Sequence, residues 1–126
     1  MSSSRWFAVH VVMYFSLAGR SATLPVWENI FLVHARGSSD AKRKGERIGR
    51  SEQMTSGVTW AGKPAKLLFA GVRKVVACAA STSRSGSADV TVVHSGVEAT
   101  YSEFRIPKGE FRKFVRGKQA RVMFEE

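Results

Sequence analysis

Three histidines, one cysteine and a few carboxylates are the side chains in this sequence best suited to chemistry. His10 lies inside one apolar run, His34 near the end of a second, and His94 in His94-Ser95-Gly96 between two more. A metal site gathers its ligands about 2 Å from the ion and shows itself as His-x-x-x-His on a helix or His-x-His on a strand. Neither pattern occurs here. If the first two strands pair, His10 and His34 approach each other and Glu28 can join them; otherwise one histidine is half-buried and two are exposed. Cys78 stands in Val75-Val76-Ala77-Cys78-Ala79, with no helix start or histidine beside it to stabilise a thiolate. It reads as a buried free cysteine. The serines at 81, 83, 85 and 87 lack a Gly-x-Ser-x-Gly elbow, and Lys63 follows Gly62 without phosphate-loop spacing. Glu28, Glu98, Glu103 and Glu110 form no recognisable pair. The sequence thus predicts no enzyme: no catalytic residue, no metal ligand and no cofactor.

The elements that must position these residues come from 126 residues, a length that suits one domain with a core needing no disulfide or metal. Hydrophobic residues at 44% and charged residues at 24% exclude collagen, coiled coil and long disorder as the main state. A lone cysteine excludes an intramolecular disulfide framework and a multi-cysteine metal site. It fits a reducing compartment, and the expected location is cytoplasmic.

The chain should begin with a frayed terminus at 1–4. The run 6–15 alternates Phe7, Val9, Val11, Met13 and Phe15 against Trp6, Ala8, His10, Val12 and Tyr14. Both sets are largely apolar, which marks a central strand. With Arg5 ahead and Leu17-Ala18-Gly19 behind, residues 1–18 also allow a short signal peptide. No segment reaches the length of a membrane-spanning helix. A second strand over 24–35, with Pro25 at its start, pairs with the first as a hairpin.

Over 40–52 the period changes to that of a helix. Ser38, Ser39 or Asp40 caps it, and Ala41, Gly45 and Ile48 make a narrow face of small residues suited to close packing on a sheet. Residues 53–63 read as an irregular connection around Trp60. A strand over 65–80 bends at Gly71. A flexible Ser-rich loop at 81–88 follows, then a hairpin of 90–93 with 97–106. Pro107 opens a short helix bearing Phe111, Phe114 and Val115, Gly117 caps its end, and a strand over 119–124 closes the chain. The fold class is α+β, a single domain over 1–126 with a mainly antiparallel sheet, two short helices and the order β-β-α-β-β-β-α-β. The alternative splits the chain into a sheet over 1–80 and a smaller lobe over 88–126.

Four pieces of this pattern resemble one bacterial family, domain of unknown function 4288. They are Trp6-Phe7 leading a strand, Val26-Trp27-Glu28 with Ile30-Phe31-Leu32-Val33 and Ala35, the small-residue helix ending Ile48-Gly49-Arg50, and Phe69-Ala70-Gly71-Val72. The likeness covers about residues 5–78, and the tail looks like the C-terminal extension of longer relatives. No activity comes with it. The type resembles small bacterial proteins that accompany secreted toxins as immunity factors. One departure concerns the helix, which is acidic and Ala-rich in the family but basic and interrupted by Gly45 here.

Twenty Lys and Arg against ten Asp and Glu give a net charge of +10, and twelve of the cations are Arg. Such a field attracts nucleic acid, anionic lipid or an acidic protein. Lys42-Arg43-Lys44, Arg47 and Arg50 make one basic helix; Lys108, Arg112, Lys113, Arg116, Lys118 and Arg121 make a second basic region. With no helix-turn-helix, zinc finger or RNA-binding strand motif, the leading expectation is a non-catalytic protein-binding module. The expected form of that module is an immunity or inhibitor protein that covers an acidic surface of a partner such as a cognate toxin. Arg43, Arg47, Arg50, Trp60 and Arg84 are the expected partner-binding residues, since Arg and aromatic side chains anchor interfaces. Trp6 and Trp27 are assigned to core. The alternative is a non-specific nucleic-acid binder using the basic helices. The sequence leaves the oligomeric state open.

Overall fold

One strand, β1 (Arg5–Leu17), organises the molecule because both of its faces are apolar. The computed structural model describes residues 5–19, 22–78 and 95–125. Among these, β1 pairs with β2 (Thr23–Ala35) as the expected antiparallel hairpin, from Arg5 opposite Ala35 to Tyr14 opposite Val26. Pro25 lies beyond that ladder and faces only the next strand, so its missing N–H breaks no bond to β1. On its other side β1 pairs with β4 (Lys63–Cys78). With β3 (Met54–Trp60), β5 (Val97–Pro107) and β6 (Met123–Glu125), the sheet runs β3-β4-β1-β2-β5-β6, every neighbour antiparallel. The α+β class and the order of elements are as expected, whereas the split into two lobes is not: β5 continues the sheet of β1 and β2.

Helices cover opposite faces. Phe7, Val9, Val11, Met13 and Phe15 pack with Phe31, Val33 and Ala41 under helix α1 (Ser38–Ser51). Val12 and Tyr14 pack with Val26, Phe104, Ile106, Phe111, Phe114 and Val115 under helix α2 (Lys108–Val115). Ala41, Gly45 and Gly49 form the buried stripe of α1. A Cβ on Gly45 would overlap the Val9 Cγ1 methyl, and one on Gly49 would overlap the Phe69 ring. The helix therefore rests on the sheet at a distance only glycine allows. At the end of α2, Gly117 takes φ +74 and its N–H donates to the Phe114 carbonyl, the expected left-handed cap.

Several expectations are corrected. Residues 54–60 form an edge strand, not an irregular connection, and turn back through Ala61 and Gly62, both at positive φ. The helix start is Gly37; no side chain caps it, and Asp40 instead accepts the Arg36 N–H at 3.1 Å. The last strand is only Met123–Glu125, because Ala120 and Val122 pack onto the α2 core rather than onto a ladder. Cys78 is half-buried, not buried, since it ends β4 at the rim of the sheet. Trp6 joins neither core cluster and leans on the His34 ring at 5.0 Å. The bend at Gly71 is present: pairing with β1 slips on both sides of it, leaving Ala70 and Arg73 outside the register. The 1–4 terminus, the 81–88 loop, the 90–93 strand, Arg84 and His94 lie outside the described residues.

Candidate functional site

The buried glycine stripe leaves the opposite side of α1 to its cations. Lys42, Arg43, Arg47 and Arg50 are all exposed. Asp40 neutralises part of this row, with its carboxylate 2.8 Å from Arg43 and 3.6 Å from Lys44. The Arg36 amide hydrogen bond, and then the Arg43 side chain, hold the Asp40 carboxyl down at about 2, below its ordinary 3.8. Arg50 lies over the Phe69 ring at 5.7 Å. Three of the expected anchors thus share one exposed helix face. Trp60 does not join them: it ends β3, half-buried, with its ring 4.8 Å from that of Phe15.

Under α2 lies a different arrangement. Glu28, the buried charged residue of β2, accepts from His10 Nδ1 at 3.0 Å and from Arg73 at 3.2 Å. Arg73 also donates through Nε to the Phe114 carbonyl and stacks its guanidinium 4.6 Å from the Phe114 ring. Burial pushes the His10 pKa down, helped by Lys74 and Arg73, while the hydrogen bond and charge of Glu28 oppose; the net shift is below 6.5. His10 is then neutral at pH 7 and donates Nδ1–H to the carboxylate. Chemically this is an oriented imidazole with a carboxylate behind it, as a general base requires. Its side chain is only 13% exposed, however, and Arg73 uses its donors to hold α2. A cleft of about 300 Å³ reaches Glu28 and Arg73 past Lys118 and Gln119, but His10 does not line it. The expected approach of His10 and Glu28 occurs; His34 stays apart, exposed beside Trp6.

The sequence model of a family described as "Domain of unknown function (DUF4288)" matches residues 6–90. The chain belongs to this family. Searches among curated proteins and among solved structures returned no match. The DUF4288 segment holds β1, β2, α1, β3 and β4, hence the basic helix face and His10, Glu28 and Arg73. Helix α2, which Arg73 tethers, lies beyond it.

A second cleft, about 270 Å³, escapes sequence reading. It is lined by Met13, Trp27, Asn29, Phe31 and Leu67 of the sheet, by Glu98, Tyr101 and Glu103 of β5, and by Glu52 just past α1. A slip of pairing at Ala99 puts Glu98 opposite Phe31, while Tyr101 faces Asn29 and Glu103 faces Trp27. The extra residue switches the parity of the strand, so all three side chains reach one face. The signal was non-local: nothing in the sequence announces a bulge at Ala99.

Proposed function

We propose that this DUF4288 protein works by binding and not by catalysis, as an immunity or inhibitor protein that covers an acidic surface of a partner such as a toxin. The exposed row of Arg43, Arg47 and Arg50 carries the reading, because it is fixed on a helix that the glycine stripe seats against the sheet. A rigid helix presents bidentate guanidinium groups with little ordering cost on binding. Arg84 is kept as a further anchor; Trp60, with its ring against Phe15, offers a partner at most one side. Complementary charge also speeds encounter and rejects wrong partners.

Nucleic-acid binding is the second reading. The cations of α2 and its flanks favour it, since Lys108, Arg112, Lys113, Arg116 and Lys118 are also exposed. Against it, the two basic helices cover opposite faces of the sheet and form no continuous track for one phosphate backbone. A pull-down from the native host, with and without nuclease, separates the two. Recovery of one acidic protein at a one-to-one ratio, insensitive to nuclease, is the expected result. Recovery of ribosomal or nucleoid material that nuclease abolishes would replace the inhibitor reading with the nucleic-acid one.

A further inference from the structure

We infer that the cleft between α1 and β5 is a binding site for a small aliphatic polyamine, an extended organic cation with at least two ammonium groups. Acids are scarce in this chain, and three of the described ones line a single cleft: Glu52, Glu98 and Glu103. Their pairing state, shared with Glu46 of α1, differs from that of three other described acids. Glu28, Asp40 and Glu110 each sit within salt-bridge distance of a cation, at 3.2, 2.8 and 3.2 Å. Glu52, Glu98 and Glu103 have no such partner among the described residues, although the chain carries twenty Lys and Arg. The C-terminal end of α1 opens at Glu52 and adds the negative pole of the helix dipole.

The floor is aromatic. The Trp27 and Tyr101 rings stand 6.3 Å apart and tilted by 52°, and Tyr101 is 58% exposed, so a cation can approach a ring face. Phe31, Met13 and Leu67 close the bottom of the cleft beneath these rings, each under a tenth exposed, so an alkyl stem would rest chiefly on Trp27 and Tyr101. The carboxylates are spread around this floor: among the described residues, no group of three acids, histidines or cysteines could hold one metal ion. Spread charges over an apolar floor match separated ammonium groups on a methylene chain. The overall positive charge of the protein does not prevent this, because salt screens it beyond about 8 Å.

Calorimetric titration of the full chain with spermidine and with cadaverine, at physiological ionic strength, tests the assignment. Saturable one-to-one binding is expected, with a change in tryptophan fluorescence. Glu98→Gln and Glu103→Gln should each weaken it about tenfold. Tyr101→Ala, at an exposed position, should weaken it about threefold through the lost ring face. Absence of saturable binding by either amine overturns the proposal. So does binding that both Glu→Gln variants leave unchanged, which would mean diffuse attraction elsewhere. Binding of tri-lysine without binding of either amine would also overturn it, in favour of a basic peptide.

Discussion

The two faces of the sheet are closed by helices of different kinds. On one face α1, with 14 residues, lies against the sheet through Ala41, Gly45 and Gly49, and its buried contacts are apolar, with one exposed hydrogen bond from Lys44 to the His34 carbonyl. On the other α2, with 8 residues, offers three apolar anchors and is tied down by Arg73, which reaches from Glu28 to the Phe114 carbonyl. Length explains much of the difference. A long helix gathers enough contacts from small residues in close approach, whereas a short one gains from a polar tie that also fixes its position. Buried ionic groups contribute little net stability, yet breaking one partner is costly. The α2 face should therefore be the more sensitive to single charge deletions, and the α1 face to added volume.

The largest expected effect comes from cutting the tie. Arg73→Ala should lower stability by about 3 kcal/mol, because Glu28 keeps a buried carboxylate with only His10 beside it. The combined Glu28→Gln, Arg73→Met variant should recover most of that loss in urea denaturation. A single-variant loss under about 0.5 kcal/mol would show that α2 does not depend on the tie. Next comes the glycine stripe. Helix propensity alone favours Gly45→Ala by about 1 kcal/mol, but overlap with Val9 should reverse the sign, for a net loss of about 1–2 kcal/mol. Stabilisation by this variant would mean that α1 sits farther from the sheet. Gly109, inside α2, gives the opposite result: its Cβ would meet open space, so Gly109→Ala should gain about 0.5–1 kcal/mol.

The smallest effect is that of pH. The His10 pKa is depressed on folding, so its contribution is complete above 6.5, where both states are neutral. It is lost as pH falls from 6.5 through the lowered folded value. Thermal melts between pH 8 and pH 5 should show wild type losing stability that His10→Gln does not lose. Asp40 acts only in more acid solution, between 3.8 and about 2, so the two groups separate.

How much of this was legible depended on locality. The two-faced pattern of β1, the small face of α1, the bend at Gly71 and the boundaries of α2 at Pro107 and Gly117 all stand in short stretches of sequence. β3 was missed because Met54–Trp60 is an exposed edge strand of Thr, Ser and Gly, with no apolar alternation to betray it. Its turn carries Ala61 before Gly62 where Asn or Asp would have signalled a hairpin. Glu28 could be linked to His10 by strand pairing, but Arg73 could not, since it joins them from a bulge two strands of sequence away. The acid-lined cleft needed a bulge, a helix end and four strands together.

On the proposed function, the exposed arginines of α1 bind while its buried glycines only seat it. The most direct measurement is the nuclease-treated pull-down repeated with the Arg43→Glu, Arg47→Glu, Arg50→Glu triple variant, alongside its melting temperature. The expected result is a fold melting within a few degrees of wild type that no longer recovers the acidic partner. Undiminished recovery of that partner by the folded triple variant would contradict it.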